Sequence, residues 1–139
     1  MNGLTYRFTV PGNDYSRAGE ASSSVKNRLK RLGVDPAAIR RVSIALYEGE
    51  INMVIHGGGG EICVTVQPDR VEMELVDHGK GIPDIAKAMQ EGYSTASEEA
   101  RSLGFGAGMG LPNMKKYTDQ LQIDSVVGEG TTVRMTVLL

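Results

Sequence analysis

The sequence contains one cysteine, no tryptophan, two phenylalanines and two histidines among 139 residues. The lone Cys63 excludes an internal disulfide framework and any cysteine-based zinc cluster. His56 and His78 leave little for a histidine-rich metal site. No apolar run approaches the ~18 residues of a membrane helix. The opening MNGLTYRFTV has neither the charged segment nor the apolar run of a signal peptide. A soluble cytoplasmic protein with no membrane partner is therefore expected. Neither sign of charge prevails, since 15 Lys and Arg against 17 Asp and Glu leave a net charge of −2. That balance carries no overall basic footprint, and no nucleic-acid partner is expected. With 40% hydrophobic and 23% charged residues, wholesale disorder is excluded. The length reads as a single domain over 1–139, able to bury a core without covalent staples.

Glycine is what the chain has in excess: 18 residues, against a typical share of ~7%, gathered in clusters. Between the clusters the periodicity is clear. Leu4, Tyr6, Phe8 and Val10 alternate with Thr5, Arg7 and Thr9, a half-buried strand. A turn with Asn13 or Asp14 as N-cap leads into a helix to about residue 32. Its apolar stripe is Ala18, Val25, Leu29 and Leu32, and Gly33 closes it. Asp35-Pro36 opens a second helix, about 36–56, as N-cap and first helical residue. Ile39, Val42, Leu46 and Met53 form one apolar stripe on it and Ile44, Ile51 and Ile55 another, so much of its circumference is expected to be buried. Glu50 reads as an exposed charge on the remainder. Gly57 to Gly60 end the helix. Alternation then predicts strands over 62–66 and 71–75 around a Pro68-Asp69-Arg70 turn, a short helix near 84–91, and a polar stretch, GYSTASEEARS. A helix over 111–119 and strands over 121–127 and 131–138 complete the chain. The fold class is α+β: a two-layer sandwich whose mixed, mostly antiparallel sheet is covered by helices on one face.

Four constellations carry chemistry. Glu48, Asn52 and His56 stand at i, i+4 and i+8, a polar line on a mostly apolar helix. A buried carboxylate there needs a polar partner, such as a ligand, a metal or water. Asp77 continues the core parity of Val71, Met73 and Leu75, which points an acid inward just before Gly79 and Gly81. The glycines let a ligand approach the backbone, and a flat base with an exocyclic amine would give the acid its donor. Gly104, Gly106, Gly108 and Gly110 alternate directly before a helix, a pattern that exposes backbone amides to phosphate. It matches neither GxGxxG nor a P-loop. Thr131 shares the core parity of Val133, Met135 and Val137, which sets a hydroxyl beside Asp77 if the two strands share a sheet. Each feature taken alone also fits an ordinary structure: a solvated helix stripe, a turn after a strand, a flexible loop, a threonine at a strand start.

In order along the chain, Glu48-xxx-Asn52, Asp77-x-Gly79-x-Gly81, Gly106-x-Gly108-x-Gly110-Leu111 and Gly130-Thr131 resemble the four boxes of the GHKL superfamily. That superfamily holds the ATP-binding domains of gyrase, the Hsp90 chaperone, histidine kinases and MutL. The runs EGEINMVIHG, GIPDIAKAMQEGYSTA and GAGMGLPNMKKYTDQLQIDSVVGEGT are similar to the small anti-sigma-factor and switch-protein serine kinases. The resemblance implies the Bergerat ATP-binding fold, with ATP and Mg²⁺ as cofactors, and a role for each matched residue. Glu48 would be the general base and Asn52 the metal ligand. Asp77 would accept from the adenine amine, with Gly79, Gly81, Ile82 and Thr131 beside the base. Gly106, Gly108, Met109, Gly110 and Leu111 would wrap the phosphates. His56 closes the first box, Ser94 and Thr95 fall in a lid, and Arg101 would stabilise charge on the transferred phosphoryl group. The implied activity is ATP-dependent phosphorylation of a Ser or Thr on a small STAS-domain antagonist, with a sigma factor or signalling enzyme downstream and a homodimer as the assembly. The other reading is a binding module that holds ATP and a partner and transfers nothing.

Overall fold

Alternating apolar and polar residues fold into five strands, β1 (Leu4–Pro11), β2 (Gly59–Val66), β3 (Arg70–Asp77), β4 (Gln120–Val126) and β5 (Gly130–Leu138). The computed structural model describes residues 3–12, 14–55, 58–82, 85–90 and 110–139. The strands form one sheet in the order β1-β2-β3-β5-β4. Every pairing is antiparallel, so the expected mixed character is absent among the described residues. Core parity runs straight across the sheet: Ile62 opposes Leu75, which opposes Val133, and all three are buried. The opposite face carries Thr65, Glu74, Arg134 and Asp124, and Arg134 bridges Glu74 and Asp124 at 3.0 Å each.

The helices are α1 (Glu20–Arg31), α2 (Pro36–Ile55), α3 (Ile85–Ala88) and α4 (Gly110–Tyr117). Helices α1, α2 and α4 meet the apolar face of the sheet through Val25, Leu29, Val42, Leu46, Met53, Leu111 and Met114. Asp35 caps α2 as its sequence predicts, with the Ala37 N–H donating to its carboxylate at 3.1 Å. Helix α1 also ends where Gly33 requires: the Gly33 N–H donates to Lys30 O and the Val34 N–H to Leu29 O, both at 3.1 Å. This pair of hydrogen bonds closes a helix through a left-handed glycine.

The start of α1 departs from expectation. Asp14 precedes a single 3₁₀ turn, Tyr15–Arg17, and makes no side-chain cap. The α-helix begins only at Glu20, behind Gly19 in a left-handed conformation (φ 95°). Its cap comes from elsewhere in the chain. Glu50 of α2, read from sequence as exposed, is 2% exposed. Its carboxylate accepts from the N–H groups of Gly19 at 3.0 Å, Ala21 at 3.1 Å and Ser22 at 2.9 Å. A carboxylate at this position satisfies amides that a helix start leaves unpaired, and it complements the positive end of the helix dipole. Leu32, expected in the apolar stripe, is 44% exposed, because the helix has already ended beneath it.

Removing the Glu50 carboxylate strands three buried amides, and hydrogen bonds to charged groups contribute about 1.5–3 kcal/mol each. Glu50→Ala should therefore lose roughly 3 kcal/mol or more of stability in urea titrations, with Glu50→Gln losing less because one acceptor oxygen remains. An unchanged midpoint for Glu50→Ala would show that water serves those amides equally well.

Candidate nucleotide site

Three consecutive residues of α2 leave the helix in three directions. Glu50 reaches α1. Gly49 faces the sheet, where a Cβ would come within 2.5 Å of Leu75 Cδ2. Glu48 faces α4 and takes a hydrogen bond from the Asn113 side chain. Burial pushes the Glu48 carboxyl above the usual carboxylate range, and the Asn113 bond opposes that shift. One turn further on, Asn52 lies against the first residue of α4. A Cβ on Gly110 would stand 2.9 Å from Asn52 Nδ2 and 3.0 Å from Oδ1, so a glycine there leaves the amide its place. The Leu111 side chain is buried in the core.

The second group lies at the ends of β3, β5 and β4. Asp77 opposes Thr131, and Thr131 opposes Ser125, so the sheet register joins the acid and the hydroxyl that the sequence parities align. Asp77 Oδ1 accepts from the Gly79 N–H at 3.0 Å and the Thr131 N–H at 3.2 Å. Among the described residues Oδ2 takes no hydrogen bond. Thr131 is buried, with its Oγ1 2.8 Å from Ser125 Oγ. Ser125 also accepts from the Ile82 N–H at 2.7 Å. Gly81 has positive φ (78°) and sits so close to β4 that a Cβ would be 2.5 Å from Val126 O. Any side chain at position 81 would part the loop from the strand.

Both groups lie at one end of the sheet. Gly60 pairs with Asp77, and Met53 Cε, one residue from Asn52, is 2.9 Å from where a Gly60 Cβ would be. The structure thus brings together Glu48, Asn52, Gly110 and Leu111 on the helices, and Asp77, Gly79, Gly81, Ile82 and Thr131 on the sheet. His56, Ser94, Thr95, Arg101, Gly106, Gly108 and Met109 lie outside the described residues, as does the polar stretch read as a lid. Asn113 and Ser125 were not anticipated. Each is a common polar residue whose partner is distant in sequence; the advance signal for Ser125 was a hydroxyl on the same parity as the apolar Leu121 and Ile123 of its strand.

A five-stranded antiparallel sheet with helices on one face, an acid at the end of its central strand and a Glu-Asn pair on the facing helix defines an ATPase domain of the GHKL type. Residues 13–137 match the family described as "Histidine kinase-like ATPase domain", and the chain belongs to that family. Two relatives narrow the comparison. The chain is 38% identical over 103 residues to an anti-sigma F factor of Thermoanaerobacter sp. (strain X514), covering 70% of this chain and 68% of that protein. It is 34% identical over 113 residues to the serine/threonine-protein kinase RsbT of Bacillus subtilis (strain 168), covering 78% and 79%.

Solved structures share the fold. The chain aligns with the RsbU and RsbW domains of a Mycobacterium tuberculosis protein at TM-score 0.66 and 16% identity, over 97% of this chain and 32% of that one. It aligns with the SiaB-SiaC complex of Pseudomonas aeruginosa at TM-score 0.66 and 12% identity, over 98% and 90%. Among the described residues no helix is long and apolar enough to cross a membrane.

The residues present fit a nucleotide. Among the described residues Asp77 keeps one oxygen for a donor while its other is held by two amides, and the absence of a side chain at Gly110 lets the start of α4 lie against Asn52.

The raised Glu48 pKa sets a pH dependence. A carboxyl whose pKa is higher in the fold than in the unfolded chain stabilises the fold most below its unfolded value, and that contribution is lost as pH rises through the folded value. Glu48→Gln should therefore melt at or above the wild type near pH 7. The difference should close as pH falls towards about 4, the ordinary glutamate range. Melting curves across this range check it, and a pH-independent difference would count against the shift.

Proposed function

We propose that the chain is an ATP-dependent protein serine/threonine kinase of the partner-switching type, acting on a Ser or Thr of a small STAS-like protein. One observation carries the reading: the acid with a free oxygen at the end of β3 and the Glu48-Asn52 pair against α4 occupy the same end of the sheet. The names of the two relatives, an anti-sigma F factor and a serine/threonine-protein kinase, support it. The reading takes 1–139 as one kinase domain.

Asp77 would select the base through Oδ2, with Gly79, Gly81, Ile82 and Thr131 around it. Asn52 would hold Mg²⁺, and the amides at the start of α4, at Gly110 and Leu111, would face phosphate along the helix dipole. Bound Mg-ATP supplies the phosphoryl group and the charge that neutralises its oxygens. Glu48 accepts the hydroxyl proton of the incoming Ser or Thr. Its raised pKa makes it a better proton acceptor than an exposed glutamate. Gly106, Gly108 and Met109 would extend the phosphate contacts, with His56, Ser94, Thr95 and Arg101 in the supporting roles that the GHKL resemblance implies. A sigma factor or signalling enzyme as a further partner, and a homodimer, belong to the same proposal.

Two measurements test it. Asp77→Asn should fold and lose roughly 10- to 150-fold in ATP affinity by calorimetry, the worth of one charge-assisted hydrogen bond; unchanged affinity removes the adenine role of Asp77. With γ-labelled ATP, label should pass to a STAS-domain partner, and Glu48→Gln should bind ATP yet transfer about 10²–10⁴-fold more slowly. Label remaining in ATP would make the chain a binding module, and label released as free phosphate would make it an ATPase without a protein acceptor.

A further inference from the structure

Three helix ends meet at the end of the domain opposite Asp77. Helix α1 stops at Arg31, and α2 starts at Pro36 after a short turn. Helix α4 starts against Asn52 and runs back along α2. Arg40 Cζ thus lies 5.9 Å from the centre of the Tyr117 ring, and Arg41 meets Asp119 at 2.6 Å. Residues 28–41 and 115–119 are therefore gathered in one place. They hold seven of the 15 Lys and Arg but two of the 17 Asp and Glu. A chain that is nearly neutral as a whole has one basic end and an acidic remainder.

Both acids of this end are already engaged. Asp119 accepts from Arg41 and from the Leu138 N–H at 2.7 Å, and Asp35 accepts from the Ala37 N–H. Arg28, Lys30, Arg31, Arg40, Lys115 and Lys116 are exposed. Among the described residues none of the six has an ion pair. Helix dipoles account for cations in the last turns of α1 and α4. They do not account for Arg40 and Arg41 early in α2, where the dipole is positive and the first turn carries no acid. Like charge concentrated in this way repels itself, and carboxylates from outside would relieve the repulsion. Several of the cations are also steadied before any partner arrives. Arg28 Cζ stands 4.5 Å from the centre of the Tyr6 ring, and Lys116 Nζ stands 5.2 Å from that of Tyr117. Side chains held against a ring lose less freedom on binding. Next to Arg31, Leu32 is 44% exposed.

We infer that this end of the helical layer docks a segment of a partner protein in which acidic residues flank an apolar one. The cations take the carboxylates, and Leu32 takes the apolar side chain. Other anions suit the surface less well. Single-stranded nucleic acid is held by free aromatic faces, whereas the Tyr117 ring is shared by Arg40 and Lys116. A lipid surface takes up a whole apolar helix face, whereas these helix ends expose one large apolar side chain, Leu32. Arg40 stands two turns of α2 before Glu48, roughly 12 Å along the helix. A partner docked here leaves the nucleotide site open, so the inference holds whether or not the chain transfers phosphate.

The test titrates the isotope-labelled chain with a short peptide of glutamates carrying two leucines and follows the amide resonances. Shifts should be confined to residues 28–41 and 115–119, weaken as salt is raised, and be the same with and without Mg-ATP. Lys30→Glu with Arg31→Glu should weaken binding about 10-fold, and Lys115→Glu with Lys116→Glu should do so independently. All four side chains are exposed, so both variants should melt near the wild type. Leu32→Ser should cost about 3-fold for this peptide and nothing for one of glutamate alone. Four results overturn the inference. The peptide shifts the Asp77 end, or competes with ATP. Vesicles of phosphatidylserine and phosphatidylcholine, or a single-stranded oligonucleotide, bind at these residues more tightly than the peptide. The chain associates with itself at low salt and the Lys30–Arg31 variant does not, which makes the occupant a second copy. No probe binds, which leaves a solvated basic face. A chain that binds the peptide here and binds no nucleotide keeps this inference and removes the proposed function.

Discussion

Over its last two turns, residues 48–55, helix α2 has no exposed side chain. Glu50 is buried there and must find its partners within the protein, because an unpaired buried charge costs several kcal/mol. The chain meets this constraint by distributing three neighbours. Glu50 serves the start of α1, Gly49 lets the helix come down on Leu75, and Glu48 turns to Asn113. The arrangement fixes α1, the sheet and α4 relative to one axis. It also leaves Asn52 at the end of the sheet where β3 delivers Asp77. The same burial that stabilises the helical layer therefore aims the site.

Much of this was legible in the sequence where the signal is periodic. Core parity in β3 and β5 correctly set Asp77 and Thr131 on one face, and antiparallel pairing made them opposite neighbours. The two stripes on α2 foretold a helix enclosed on most sides. What escaped was every interaction between a side chain and a distant backbone. Glu50 looks like any charged residue on a helix; its partners are three amides about 30 residues earlier, which no pattern of side chains reveals. The start of α1 was misplaced for the same reason, since the true cap is not local and the nearby Asp14 is a plausible substitute. Ser125 and Asn113 follow the same rule, as their importance comes from what the fold sets against them. The strictly antiparallel sheet was a smaller departure, and it follows from connections that return each strand beside a neighbour of opposite direction.

The two ends of the site are held in different ways. The Asp77 end is built on paired strands and a loop pinned by a hairpin through two main-chain contacts and one hydroxyl. It is a rigid place for a flat group, and rigidity limits the entropy lost when a ligand is ordered. The Glu48 end sits where two helices meet, with a half-buried carboxyl whose charge is opposed by its surroundings. Glu50, two residues on, is committed instead to three backbone amides at the start of α1.

Asp77 and Thr131 are 54 positions apart, and only the pairing of β3 with β5 unites them. Bringing residues so distant together costs the closure of a long loop of chain. No fragment that lacks either strand unites Asp77 with Thr131. The capacity of the site to hold a ligand is a property of the completed sheet, and ligand binding in turn holds the sheet together: at a hundred times its dissociation constant, a ligand confined to the native state adds about 2.7 kcal/mol to the whole fold. For such a domain, the cellular supply of its ligand becomes one of the determinants of how long the folded chain survives.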